Sequence, residues 1–588
     1  MNISPALHDP IRNHLTSVIK VAVKGLSPDN QIEDLKIYQA LVEPPNREMG
    51  HLAYGCFILA KALRKGPPQI SGELAKVILP DDVIEIVQAA GPYLNFKIKA
   101  GAWGSKILAP QISGAYFKTQ LLNNAPRTIV EYSQPNTHKE LHVGHMRNMC
   151  LGASVINLLR YCNHQVIAST FPGDVGTHVA KCLWYMKYHN PSLVPETGKG
   201  EWLGQLYSKG NIKLEDELGT PQEAKNREQL TLILKQLEEK KGEFYDLWKE
   251  TRNWSIDLMN RVYQWVGIEF DVWYWESDVD SSSVKYVKDL YAQGKLVVSE
   301  GAVGMDLSEE KLGFCLLLKT DGNGLYATKD LELARRKFQD NKVEKSIYVV
   351  DVRQALHFQQ VFATLKRLGF EQADQCYHLQ YNFVELPDGA MSSRKGNIIP
   401  ITALIDQMQE MIRTQYLSRY KDEWSAQEID EVAAQVARGA IKYGMTRIDN
   451  NKKIVFDMAE WLRLDGESGP YIQYAAARIN SLCSKLGYSP QASVNWSVLT
   501  HKTELDLMVQ LGQFNTTMVS ACEAYKPATL CSYLYETARR FSGFYTECSI
   551  GQAETDEIKV ARLALSKATL EVLKSGLGVL GIQAPSRM

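Results

Sequence analysis

A chain of 588 residues is too long for one hydrophobic core, so two to four domains are expected. Its 45% hydrophobic and 23% charged content is that of a soluble globular protein, and a net charge of −1 excludes a basic nucleic-acid coat, leaving any RNA to local basic patches and shape. No apolar run reaches membrane-spanning length, MNISPALHDPIRNHL lacks a signal-peptide core, and ten scattered cysteines form no CxxC pair, so a cytoplasmic protein without membrane partner or structural zinc is expected.

Residues 1 to about 105 read as a small α/β module, with helices expected from Tyr54 to Arg64 and from Glu73 to Leu79 and a turn into a strand over Gly91–Phe96. On the residues alone this module is a cap on the neighbouring domain. Residues 106 to about 405 read as a nucleotide-binding domain. Ile129 and Val130 form a short apolar run of the kind that makes a buried parallel strand, the chain breaks at Pro135-Asn136, and it turns helical at His142-Val143-Gly144-His145. Orphan N–H groups at such a helix start attract phosphate, and a glycine there lets a base or phosphate approach the backbone. Two imidazoles three residues apart share a helix face and can donate to one developing charge. A metal reading competes, with His138, Glu140, His142 and His145 as ligands, but it has neither an HExxH pattern nor a cysteine partner.

A second strand is expected at Val166–Ala168, running into the loop Phe171–His178 with its two glycines and one carboxylate. An insertion from about 181 to 322 brings charged helices (Lys235 to Arg252) and the tryptophans Trp254, Trp265, Trp273 and Trp275, which at that density build a core rather than read bases. The sheet is expected to resume around Tyr326 and again at Ile347–Asp351, giving a doubly wound parallel α/β sheet with ligands at its strand ends. Met391-Ser392-Ser393-Arg394-Lys395-Gly396-Asn397 is a polar, glycine-bearing loop after a strand. Residues 406–588 read as an all-α bundle. Val432, Val436, Ala440 and Tyr443 recur at helical spacing, and Leu570, Leu573, Leu577 and Leu580 form a packing stripe. Lys442, Arg447, Lys452, Lys453, Lys526, Arg539 and Arg540 alternate with Tyr471, Tyr474, Tyr525, Tyr535 and Tyr545, a pattern that suits either a solvated face or stacked RNA bases.

HVGH and MSSRKGN resemble the HIGH and KMSKS signatures of class I aminoacyl-tRNA synthetases. With VEYSQPNTHKELHVGHMRN, GPYIQYAAARI and LGIQAPSRM around them, the chain resembles arginyl-tRNA synthetases nearly end to end. The resemblance implies an ATP-dependent ligase of protein biosynthesis. It forms arginyl-adenylate from L-arginine and ATP with Mg²⁺, transfers arginine to the 3′-terminal adenosine of tRNA(Arg), and activates arginine only with tRNA present. It implies a Rossmann-type catalytic domain between an N-terminal domain that contacts the tRNA elbow and a helical anticodon-binding domain. His142, Gly144, His145, Met391, Ser392, Ser393 and Lys395 would then hold ATP, with Lys139 and Lys395 as the phosphate cations. Glu131, Asn136, Tyr326, Asp330 and Gln354 would hold arginine, Asp330 and Tyr326 at the guanidinium, which needs carboxylates and flat partners. Asn95, Phe96, Tyr471, Arg478, Tyr545 and Met588 would meet tRNA. No metal ligand is implied, and a monomer is expected. The second signature departs from the usual pattern at Ala390 and Ser393, where lysines are common; many arginyl enzymes share this, with the lysine before the first motif, Lys139, compensating. A class I synthetase for another amino acid, a small nucleotidylyltransferase and a non-catalytic tRNA-binding relative remain alternatives. The third would be expected to lose the histidines or the signature loop, and both stand.

Overall fold

The computed structural model describes residues 4–28, 32–386, 389–390, 399–490 and 493–588. The N-terminal module is a four-stranded antiparallel sheet, Leu41–Val42, Leu52–Gly55, Tyr93–Ile98 and Ile84–Ala90 in spatial order. The Gly91-Pro92 turn joins its last two strands, as the sequence suggested. The expected helix from Tyr54 is corrected. Tyr54 lies buried in a strand opposite Leu94, and only Ala60–Leu63 is α-helical, because strand pairing outweighs local propensity. The next helix is Pro67–Val77, earlier than the expected Glu73 start; its two prolines fill positions where no N–H partner is needed.

The catalytic core is a five-stranded, wholly parallel sheet. Its strands are β1 (Thr128–Glu131), β2 (Val166–Thr170), β3 (Val272–Trp273), β4 (Lys345–Asp351) and β5 (Cys376–Tyr381), in the order β5-β4-β1-β2-β3. The winding reverses between β1 and β4, which opens a crevice at their carboxyl ends. Helix α1 (Val143–Tyr161) returns the chain from β1 to β2. Tyr326 is not in a resumed strand: it is the first residue of α2 (Tyr326–Asn341), started by a box in which Thr328 Oγ1 accepts from the Leu325 N–H at 3.0 Å. The strands before it form a separate antiparallel sheet over Val297–Ser299, Ala302–Leu307 and Gly313–Leu318. The charged stretch 235–252 is two helices, Gln222–Glu238 and Glu243–Val266, parted where Gly242 takes φ 98°. The tryptophans do pack: Trp273 stacks on Trp275 at 5.3 Å, and the Arg252 guanidinium lies 3.9 Å from the Trp275 ring.

The C-terminal part is helical apart from the two-residue strand Ile454–Val455. Val432, Val436, Ala440 and Tyr443 are buried, as are Leu570, Leu573, Leu577 and Leu580. Lys442 does not belong to a surface patch. It is buried, with Nζ donating to the Gly581 carbonyl at 2.8 Å, and burial lowers its pKa to about 8. The bundle is keyed into the chain between the first two domains. A Cβ on Gly104 would lie 1.9 Å from Trp496 Cγ, and one on Gly512 would lie 2.3 Å from Trp103 Cζ3. One core therefore runs from Ile11 and Leu15 through Met146 and Leu158 to Leu534 and Leu573. Among the described residues no helix is long and apolar enough to cross a membrane.

Candidate active site

A cavity of about 650 Å³ occupies the crevice at the ends of β1 and β4. The sequence-predicted residues Glu131, Asn136, His142, Gly144, His145, Tyr326, Asp330 and Gln354 all line it, although they span more than two hundred positions of the chain.

The histidines are set by the start of α1. His142 is its N-cap, with Nδ1 accepting from the Gly144 N–H at 3.1 Å, and His145 Nδ1 accepts from the His142 N–H at 3.1 Å. With both Nδ1 atoms accepting, the proton of each neutral ring sits on Nε2. The rings lie 4.0 Å apart. Burial, then the charges of Lys139 and Arg353, lowers His142 to about 4; burial, then His142 and Lys139, holds His145 well below its ordinary value. The site therefore offers two neutral imidazole N–H donors at ordinary pH. A side chain at Gly144 would come within 2.9 Å of the His142 ring.

The second signature is tethered to the first. The chain runs to Gly389–Ala390 in a hairpin with Val384–Leu386. It returns at Ile399, whose carbonyl accepts from the Val143 N–H at 3.1 Å, while the Ile401 N–H donates to the Leu141 carbonyl at 2.9 Å. Met391, Ser392, Ser393 and Lys395 lie outside the described residues. Lys139 does not line the cavity; its Nζ sits 5.0 Å over the Tyr207 ring.

Glu131 ends the central strand almost wholly buried. Lys337 Nζ stands 2.5 Å from its Oε2, Gln134 Nε2 donates to its Oε1 at 3.2 Å, and Oε2 receives no hydrogen bond. That oxygen is buried against the lysine, and it is through the rest of its side chain that Glu131 lines the cavity. Asn136 pairs through its backbone with Gly173, where a Cβ would meet Asn136 Oδ1 at 2.2 Å, so the loop glycine is needed at this spot. The neighbouring Asp174 faces the insertion: its buried carboxylate accepts from Arg252 Nε at 2.7 Å and from the N–H and Oγ of Ser277 at 2.9 and 2.8 Å. Tyr326 is 76% exposed at the cavity mouth. Asp330, one helical turn on, meets His357 Nε2 at 2.6 Å. Burial opposes charge on His357, but the hydrogen bond and charge of Asp330 outweigh it and raise its pKa.

The metal reading finds no support in the geometry. His138 is fully buried with Nδ1 against Thr137 Oγ1 at 2.9 Å and Nε2 against Thr251 Oγ1 at 2.8 Å, and among the described residues no three His, Cys, Asp or Glu side chains group to hold a metal.

The RNA candidates divide. Asn95 and Phe96 are 2% and 0% exposed, so in this structure neither side chain offers RNA a surface; the exposed aromatics nearby are Tyr93 of that hairpin and Phe57 of the turn after the strand Leu52–Gly55, edge to face at 5.6 Å. In the bundle the Arg478 guanidinium covers the Tyr545 ring at 4.5 Å, and Tyr471, two turns earlier on the same helix, faces Tyr535 at 5.7 Å. The C-terminal tail runs beside that helix: Asn480 Nδ2 donates to the Ser586 carbonyl at 3.0 Å, and Tyr420 donates to the Met588 carbonyl at 3.4 Å. Arg478 and Tyr545 thus meet directly, whereas Met588 is held through Tyr420.

Residues 111–458 match the family model described as tRNA synthetases class I (R), catalytic domain, which is more than half of the chain. The chain belongs to the arginyl-tRNA synthetase family. Residues 13–98 match the arginyl tRNA synthetase N terminal domain, and residues 472–588 the DALR anticodon binding domain. The chain is 57% identical to the arginine–tRNA ligase of Bdellovibrio bacteriovorus over 99% of its own length and 100% of that protein. It is 32% identical to the arginine–tRNA ligase of Clostridium perfringens, over 94% of this chain and 97% of the other. The solved arginyl-tRNA synthetase of Thermus thermophilus shares the fold with a TM-score of 0.79, covering 98% of this chain and 100% of that one at 24% identity.

Sequence reasoning missed several cavity residues of this family member. Asn148, one turn after His145, donates to the Val349 carbonyl at 2.8 Å and to Tyr381 Oη at 3.1 Å, and accepts from the Ser133 N–H at 2.6 Å, so it ties the ends of β1, β4 and β5 together. Its signal was helical spacing from the motif. His357 falls three residues after Gln354 and could have been found the same way. Glu276 reaches the cavity from the insertion, held by Lys329 at 2.5 Å, and no local pattern announced it.

Proposed function

We propose that the protein joins L-arginine to tRNA(Arg) in two steps. The arginine carboxylate attacks the α-phosphorus of MgATP, diphosphate leaves, and arginyl-adenylate forms. The terminal ribose hydroxyl of tRNA then attacks the carbonyl carbon and AMP leaves. The observation that carries this reading is a single cavity lined by the carboxylates of Glu131 and Asp330 together with two neutral histidine donors at a helix start. Asp330 suits the fixed charge of a guanidinium, Glu131 the α-ammonium, and the Nε2–H groups of His142 and His145 the charge that develops on the phosphate oxygens. The reaction is mainly positioning and electrostatics, so no side chain needs to act as a nucleophile. Lys139, and Lys395 of the signature loop, are assigned to the outer phosphates. Mg²⁺ enters with ATP and needs few protein ligands.

The division 1–105, 106–405 and 406–588 is read as elbow-binding, catalytic and anticodon-binding parts of a monomer working in the cytoplasm. Activation waits on tRNA in this reading, because a second signature with Ser393 in place of lysine leaves the phosphate site incomplete until the acceptor end enters. ATP–diphosphate exchange with each of the twenty amino acids, with and without tRNA, is the test. Exchange with arginine alone, and only with tRNA, is expected. Exchange with another amino acid overturns the substrate, and robust exchange without RNA removes the coupling.

The bundle face makes a separate prediction. Stacking of one base on an aromatic ring contributes about 1–3 kcal/mol. Tyr545→Ala is therefore expected to weaken tRNA binding by roughly ten- to a hundredfold. At limiting tRNA it should slow arginine-dependent exchange, and saturating tRNA should restore it. Filter binding and exchange titrated with tRNA check this, and a loss that excess tRNA does not restore counts against an RNA contact.

A further inference from the structure

We propose that Lys337 is a positioning residue for the arginine α-ammonium, acting through Glu131. The proposal rests on the arginine-activating reading above and names a residue that neither signature includes.

The lysine side chain is 0% exposed, which is rare for a cation and requires a specific partner. Two groups meet its Nζ: Glu131 Oε2 at 2.5 Å and the face of Tyr348, whose ring centroid is 3.6 Å away. Both atoms are shut off from solvent, so each is the other's counter-charge. A cation buried this deeply is costly unless its partner needs it. Here the partner is a carboxylate that lines the cavity, and the cation lies behind it, outside the lining.

The helix that carries Asp330 into the cavity also carries the lysine behind Glu131. Asp330 and Lys337 are seven residues apart on α2, two turns along one face and about 10 Å on the axis. Asp330 faces the guanidinium end directly, and Lys337 fixes Glu131 at the other. Without Lys337 the buried Glu131 carboxylate has no counter-charge, so it takes up a proton or swings towards water, and either change removes the ammonium contact. The two effects of the lysine oppose each other, since its charge also repels an ammonium. Holding the carboxylate ionised wins because losing Glu131 removes the whole contact, whereas the repulsion only weakens it.

The test uses the full-length enzyme with saturating tRNA and compares arginine with 5-guanidinopentanoate, which keeps the guanidinium and carboxylate but lacks the α-amino group. In Lys337→Met the arginine KM is expected to rise at least tenfold. kcat should stay within about threefold, and the ATP KM and the 5-guanidinopentanoate inhibition constant should not change. Should the methionine variant fail to fold, Lys337→Gln, which leaves a donor beneath the carboxylate, should still raise arginine KM at least threefold with the same selectivity. An unchanged arginine KM, or equal loss of arginine and 5-guanidinopentanoate, overturns the proposal. The double variant Glu131→Gln/Lys337→Met removes both charges and separates the two levels. Wild-type arginine affinity there means Glu131 does not take the ammonium and the underlying assignment fails. Loss in the double variant but not in Lys337→Met means only the role of Lys337 fails.

Discussion

His145→Ala and His142→Ala are each expected to lower kcat about 10²–10³-fold while the arginine KM barely moves. The size reflects what the rings are in this site. Each is a neutral imidazole whose Nδ1 is committed to a backbone N–H, so each presents Nε2–H to the cavity. A donor aimed at charge that appears only in the transition state contributes about 2.7–4 kcal/mol, and little of that is felt in the ground state. His142→Ala also removes the helix cap, a stability loss of about 1 kcal/mol, so thermal unfolding has to be measured beside kcat. The pH profile adds a check. Burial puts His142 near 4 and holds His145 well below its ordinary value, so protonation of His142 should cut activity only as pH approaches 4. The stability sign agrees: a histidine with a depressed folded pKa contributes stability above its unfolded value of about 6.5 and loses it as pH falls. Loss of both histidines with kcat intact would remove them from the chemistry.

How much could be read from the sequence depends on how local each feature is. The strand at Ile129-Val130, the helix start at His142 and the bundle stripe at Leu570–Leu580 depend on near neighbours, and each stands where periodicity put it. Glu131, Asn136, Tyr326, Asp330 and Gln354 were assembled by family resemblance, because no local pattern links them. They converge only when β1 and β4 lie side by side. Lys337 reads as one more helical cation in KDLELARRKFQD; nothing in the run says that it points under the sheet and not at water. The burial of Asn95 and Phe96, which matched the family's RNA-contacting stretch, was hidden for a related reason. Consecutive strand residues point to opposite faces, yet both are buried, so the strand is covered on both sides there by parts of the chain that no local pattern names. Tyr54 was drawn into a helix by its neighbours and belongs to a strand by virtue of Leu94, forty residues away.

Asp330→Asn is expected to reduce kcat/KM for arginine by roughly 30- to 1,000-fold, the equivalent of about 2–4 kcal/mol for a charge-assisted contact, with the ATP KM unmoved. The asparagine keeps the shape and loses the charge, so the defect reports on the guanidinium contact. His357 gives this prediction a pH signature. Its Nε2 lies 2.6 Å from Asp330 Oδ2, and that partner raises its pKa above 6.5 in spite of burial. At pH below that raised value His357 is an imidazolium that neutralises Asp330 and repels an incoming guanidinium, which is charged at every pH. Arginine KM should therefore fall as pH rises through the pKa of His357, by a few-fold or more. The stability contribution runs the other way. A histidine with a raised folded pKa stabilises the fold fully below about 6.5 and loses that contribution as pH climbs through the folded value. The apo protein should thus gain from this pair in the acid range where arginine binds least well, and bound arginine should take over as the partner of Asp330 at higher pH. Arginine KM measured from pH 6 to 9 in the wild type, Asp330→Asn and His357→Asn decides it. The slope should be present in the first and absent from the other two, and a flat wild-type profile with an unchanged Asp330→Asn would place the guanidinium elsewhere.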